Sequence, residues 1–359
     1  MLIPENPNQV FFDRDLAIRA PLGEFNLVQD KTLGYYYNKS FSGIQYDQFN
    51  YQNDQSSSQV FLEHLFNVLS IVASNVPSKS KVVEVGCGKG AFFSLLSQLN
   101  FESLLGFDKT YQGDDPRIFS RYLDAQDTPL EADVLIMRHV LEHISNPISF
   151  LRDLVTINGR DCDLIIEVPS TDWIIRSGSF WDFTYEHVNY FTLDSLKNLF
   201  SDCQIWEFFS GQYYLLIANS KSIAHLENSE YLRSTLLSDL IKKSLKNSNF
   251  YRASSRSESR FWLWGGATKG VMSAYYLLNS DSVNLSLPLG IIDINPKKQG
   301  GFVSSSGLRI FSPKEFFVKA APNDQIFVAN PAYLYEVKDL LDRELKFDVE
   351  ILAIELEQT

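Results

Sequence analysis

The densest group of reactive side chains lies between Phe180 and Phe191, where Asp182, Tyr185, Glu186, His187 and Tyr190 stand among three phenylalanines and a tryptophan. A histidine beside a glutamate can be held in one tautomer and take a proton near neutral pH. A second group, Arg138-His139-Val140-Leu141-Glu142-His143, contains H-x-x-E-H, whose two histidines on one helical face could hold zinc. A third is the run Glu84-Val85-Gly86-Cys87-Gly88-Lys89-Gly90. Gly86 and Gly88 allow a tight turn and close approach of a ligand to backbone, and Gly90 lets a following helix start beside its strand. Asp108, at the end of the next apolar run, can accept hydrogen bonds from ribose hydroxyls. Turn and acid together point to an adenosine-containing cofactor, with a dinucleotide and S-adenosylmethionine both open on spacing alone. Cys87 reads as a small filler of the loop rather than a nucleophile.

These groups need a frame that brings them together, and the pattern supplies one. From Lys81 onward short apolar runs alternate with helical stretches, the mark of a parallel α/β sheet. KVVEVG, SLLGFD, ADVLIM, DLIIEVP, QIWEFF and YYLLIAN read as strands, the last two as an antiparallel edge hairpin about Ser210–Gln212. Helices are expected over Val60–Ala73, 91–99, 139–156 and 193–202. The glycine turn, the H-x-x-E-H segment and the Glu186-His187 segment each follow the carboxyl end of a strand, where open α/β sheets bind ligands. A charged, Ser-rich stretch with the helical LRSTLLSDLIKKSL interrupts the rhythm, which restarts with FWLWGG, LGIIDIN, QIFVAN and VEILAI. The division expected is an arm or lid over 1–58, a catalytic α/β domain over 59–220, a linker helix within 221–258, and a second, smaller α/β domain over 259–359.

Composition narrows the function. The 359 residues are 45% hydrophobic and 21% charged, ordinary for a globular protein. The net charge of −12 offers no general attraction to nucleic acid or anionic membrane. No apolar run is long enough to span a bilayer, and the first residues lack a signal-peptide pattern, so a cytoplasmic protein acting on a small molecule is expected. Three dispersed cysteines without a C-x-x-C pair suit a reducing compartment and no cysteine-built zinc site.

The short glycine pattern after Glu84, G-C-G-K-G rather than G-x-G-x-x-G, resembles motif I of class I S-adenosylmethionine-dependent methyltransferases. R-H-V-L-E-H-I resembles the segment after the fourth strand in that class, where it shapes the cofactor pocket without a metal. From about residue 45 onward the chain resembles the C-methyltransferases of nucleotide-linked deoxysugars, on Y-E-H-V-N-Y-F and on the tail motifs G-G-A-T-K-G (265–270), D-I-N-P-K-K-Q-G (293–300) and N-P-A-Y (330–333). The first 58 residues hold no cysteine, unlike the zinc-binding module usual in that family. The resemblance implies a seven-stranded Rossmann-like sheet with a smaller Rossmann-like domain, S-adenosylmethionine as cofactor, and no metal. It implies that Glu84, Gly86, Cys87, Gly88, Gly90, Asp108, Arg138 and His139 hold the cofactor, with Asp124 and Ala125 near the adenine. His187 would be the base, oriented by Glu186, with Tyr185 or Tyr190 steadying an enolate oxygen. Gly265, Gly266 and Lys269 would cradle a diphosphate, with Asn295 and Asn330 beside it. An oxygen or nitrogen acceptor on another small metabolite is the alternative.

Overall fold

Seven short strands, most of them aliphatic and buried, hydrogen-bond in the order Cys203–Phe208, Tyr213–Asn219, Asp163–Pro169, Val134–Arg138, Lys81–Val85, Ser103–Phe107, Ile118–Phe119. This computed structural model describes residues 1–44, 50–224, 231–233, 236–256, 259–280 and 285–356. The parts of the expected arm and linker at 45–49, 225–230, 234–235 and 257–258 lie outside the described residues. Six strands run in one direction, and Tyr213–Asn219 is antiparallel to both of its neighbours, as an edge hairpin requires. Ile118–Phe119 is the one strand without an apolar run to announce it; two residues suffice because they only extend the edge.

One face of the sheet is covered by the helix Gln59–Asn75, which buries Phe61, His64, Leu65, Val68, Leu69 and Val72 at helical spacing. Ser58 starts it by accepting a hydrogen bond from the Phe61 amide. The helix expected over 139–156 begins only at Pro147, capped by Asn146. Before it, His139 takes a left-handed φ of 53° and Leu141–His143 forms a single 3₁₀ turn. Its two histidines therefore do not share a helical face as the zinc reading required. Val140 explains the irregularity, since its Cγ2 fills the place where a Cβ on Gly86 would sit, at 2.3 Å.

A second sheet of five parallel strands has the order Ile310–Phe311, Ile291–Ile292, Phe261–Trp264, Gln325–Val328, Glu350–Ala353. The two sheets thus make the α/β architecture of a seven-stranded Rossmann-like unit plus a smaller one. The arm joins neither sheet but pairs with segments beside each, Val10–Phe11 with Phe302–Val303 on the small unit's side. Leu27–Asp30 and Tyr36–Asn38 join a four-stranded sheet with Asn189–Tyr190 and Tyr231–Arg233. Because Tyr231–Arg233 is a strand, the linker helix expected from Leu232 starts at Leu236. The stretch after it is no loose connection: Asn249–Ser254 is a helix, and Phe250 packs in one core with Phe25, Trp181, Phe183 and Phe261.

Candidate functional site

The carboxyl ends of both sheets open onto one cavity of about 760 Å³. Val85–Lys89, Asp108–Thr110, Arg138–Val140 and Glu142–Ile144 line it from the large sheet, and Trp264, Gly265, Asp293–Asn295 and Ala329–Asn330 from the small one. Asn8, Tyr51 and Asn53–Gln55 of the arm close the gap between them.

The glycine turn is built as its sequence requires. Gly86, Gly88 and Gly90 have φ of 75°, 57° and 83°, a region costly for side-chain residues. The Gly86 amide donates to the Phe107 carbonyl, tying the turn to the next strand. The Gly88 amide donates to Asp108 Oδ2 at 2.8 Å, while Thr110 donates from backbone and hydroxyl to Oδ1. A Cβ placed on Gly88 would meet nothing within 4 Å, so the bare backbone faces open space. Beside it Glu84 is buried with Oε2 lacking a hydrogen-bond partner among the described residues, and burial raises its carboxyl to about 7 although Arg138 opposes the shift. Arg138 Nη2 and His139 Nε2 are also buried without a hydrogen-bond partner among the described residues. A cradle of bare glycine with an acid at the second strand end and orphaned groups of both charge signs fits S-adenosylmethionine, which carries an adenosine, an ammonium and a carboxylate. Cys87 lines the turn as a filler whose thiol burial pushes well above its usual range.

Behind the turn sits an ion network that sequence reading missed. Glu167 is fully buried and accepts from Arg138 Nε and from His64 Nε2, each at 2.6 Å. Burial alone would raise its carboxyl; the Arg138 guanidinium, then the His64 hydrogen bond, hold it far below the usual range. His64 lies in the helix expected over Val60–Ala73, but its partner is 103 positions away.

His187 and Glu186 both line the cavity. Burial, then the neighbouring His143, push the His187 imidazole down to about 3, so it is neutral at physiological pH. The His143 and His187 rings meet edge to face at 5.1 Å, and His143 Nδ1 donates to the Glu186 carbonyl. Glu142 adds a buried carboxyl, so that it, His143 and His187 bring one ligand-type atom each within 4.8 Å of one another. Burial raises the Glu186 carboxyl to about 8, against hydrogen bonds from Asn8 and Tyr51.

The two tyrosines are placed otherwise than expected. The Tyr185 hydroxyl is buried against Ser42, accepting from its amide at 2.9 Å, and the Tyr190 hydroxyl is closed on the Thr184 backbone. Neither lines the cavity, because the aromatic segment folds inward to make core. Asp124 and Ala125 are exposed and outside the cavity lining, since Asp124 caps its own 3₁₀ turn; Tyr122 and Leu123 line it instead. Gly90 and Gly266 also stand behind the lining. The Gly266 amide donates to Asp293 and its carbonyl accepts from the buried Lys298. Lys269 pairs with Asp182 and lies over the Trp173 ring at 4.9 Å. Asn295 and Asn330 line the cavity, and Asn330 Oδ1 accepts from Gln212.

Residues 58–204 match the family model described as a methyltransferase domain. Among solved structures, the chain is similar to 1,6-didemethyltoxoflavin-N1-methyltransferase of Burkholderia thailandensis, at 15% identity over 45% of this chain and 80% of that one, with a TM-score of 0.33. An S-adenosylmethionine-dependent methyltransferase of Aquifex aeolicus shares 14% identity over 46% and 95% of the two chains, TM-score 0.33. One from Mesorhizobium loti shares 11% over 45% and 99%, TM-score 0.32. No curated protein matches the chain. Residues 58–204 thus carry a methyltransferase domain, and the glycine cradle within it is one that S-adenosylmethionine fits.

Proposed function

We propose that the enzyme methylates a carbon beside the carbonyl of a nucleotide-linked keto-deoxysugar. In this reading 59–220 carries out the transfer and 259–359 holds the acceptor's nucleotide. S-adenosylmethionine, when bound, supplies a methyl group on a positively charged sulfur. Gly86 and Gly88 give it room, Asp108 accepts from its ribose, and Glu84 and Arg138 meet its ammonium and carboxylate. A carbon acceptor must first lose a proton, and that need singles out a neutral base inside the cavity. His187 is such a base: it is neutral and lines the same cavity as the glycine turn and the small sheet's strand ends. That shared cavity carries the proposal. Holding acceptor and donor together removes much of the barrier, worth up to about 7–11 kcal/mol in favourable cases.

The withdrawal of Tyr185 and Tyr190 from the cavity favours a second reading, an oxygen or nitrogen acceptor that needs no enolate. Purified enzyme incubated with S-adenosylmethionine and a nucleoside-diphosphate ketodeoxyhexose decides between them. A new carbon–methyl resonance in the product's NMR spectrum is expected, and a methyl on oxygen or nitrogen would replace the first reading by the second.

A further inference from the structure

Asn8 stands far from every motif in the sequence, yet its side chain is spent entirely at the site. Its Oδ1 accepts from the Thr268 backbone amide at 3.2 Å, and its Nδ2 donates to Thr268 Oγ1 at 2.8 Å and to Glu186 Oε2 at 3.1 Å. A backbone amide can only donate, so the Thr268 contact fixes which end of the Asn8 amide is oxygen. The nitrogen must then face Glu186. Oε2 is thereby an acceptor, and Oε1 remains buried without a partner among the described residues, on a side chain that lines the cavity. A buried carboxyl with a free oxygen and no ion-pair contact among the described residues is suited to stay protonated and to donate a hydrogen bond, although the Lys298 ammonium pulls the other way.

We propose that Asn8 is a positioning residue of the methyl-transfer site: clamped by the Thr268 turn, its amide holds Glu186 Oε2 and leaves Oε1 to present a proton to the acceptor's carbonyl oxygen. This rests on the carbon-methylation reading. When His187 takes the proton from the acceptor carbon, the electrons of that C–H bond pass to the carbonyl oxygen as an enolate. Glu186 steadies that oxygen by hydrogen bonding and keeps its own proton. Glu186 thus takes the task that Tyr185 and Tyr190 are too far withdrawn to perform. The groups facing it are Asn8 and Tyr51 from the arm and Lys298 from the small sheet's loop, with His143 and His187 on the other side of its backbone.

Infrared difference spectra of the full-length protein against Glu186→Gln test the protonation without any acceptor. A protonated-carboxyl band is expected at neutral pH, fading with a midpoint near 8. Asn8→Ala removes hydrogen bonds that favour the anion, so its midpoint must move to higher pH. The melting temperature of Asn8→Ala, read on the same samples, separates a moved midpoint from a loss of the fold. No band at neutral pH, or an unmoved midpoint in Asn8→Ala, overturns the proposal. In turnover, Glu186→Gln still offers an N–H and should exceed Glu186→Ala about tenfold or more; equal losses also overturn it. Product NMR of the wild type is read separately. A wild type that methylates oxygen or nitrogen defeats the carbon-methylation reading, while the infrared titration still decides the placement of the proton.

Discussion

His187 and Glu186 are neighbours in the chain whose surroundings push their titrations apart, the imidazole down to about 3 and the carboxyl up to about 8. A neutral base beside a neutral acid can serve one carbonyl compound from two sides. Replacing His187 by Asn is expected to lower turnover by about a hundredfold or more, the usual contribution of a general base. Calorimetric binding of S-adenosylmethionine should survive, and near-normal turnover would remove His187 from the chemistry. Glu167 makes a different prediction, about stability. Its folded carboxyl lies below the usual 4.5, so the unfolded chain takes up its proton first as acid is added. The stability it contributes is present above 4.5 and is lost as pH falls below it. Glu167→Gln should leave Arg138 buried without its counter-charge, cost about 3–5 kcal/mol in denaturant unfolding, and flatten the acid limb of stability. The pair 186–187 was legible because both residues sit in one short segment. Asn8 was not, because its partners lie 178 and 260 positions away and no local pattern joins them. Tyr185 was misplaced because an aromatic run past a strand end reads alike whether it lines a pocket or fills a core.

The turn between Lys81–Val85 and its helix shows how much an element's sequence can say. Three glycines were enough to locate it, and all three have positive φ. They are not equivalent. A methyl on Gly86 would collide with Val140, whereas one on Gly88 would meet only open space. Gly86→Ala should therefore lower both the melting temperature and cofactor affinity. Gly88→Ala should weaken calorimetric binding by about tenfold while sparing most of the stability, apart from about 1 kcal/mol for its backbone. Equal melting losses in both would show that Gly88 serves the fold rather than a ligand. The H-x-x-E-H segment was legible as important but not as irregular, since Val140's packing on Gly86 is a contact between elements. Glu142, His143 and His187 form a polar cluster there, and dialysis against a chelator is expected to leave turnover unchanged. A loss restored by zinc alone would make the cluster a metal site.

Across the molecule, each tail motif sends a side chain to another part of the chain: Lys269 to Asp182, Asn295 to the Asp54 carbonyl, Asn330 to Gln212 and Tyr333 to Gln55. Two of these contacts run to the large unit and two to the arm, so the small sheet's strand ends are tied to both. The βα rhythm made both sheets legible, but rhythm has no say in how two sheets face each other, nor in what an aperiodic arm will do. Lys269→Met removes the charge that faces Asp182, a carboxyl whose burial already raises it. Its expected effect is a higher KM for the acceptor with donor affinity nearly unchanged; an equal loss of donor affinity would mean that the pair supports the large sheet itself.

The four-stranded sheet that joins Leu27–Asp30, Tyr36–Asn38, Asn189–Tyr190 and Tyr231–Arg233 carries one more consequence. Two of its strands leave the ribosome long before the other two exist. The opening segment can form only its own hairpin, Leu27–Asp30 with Tyr36–Asn38, while most of the large sheet is synthesised, and only then can it dock beside His187 and carry Asn8 into place. Assembly of the reactive centre is on this account a late event in the life of each new chain.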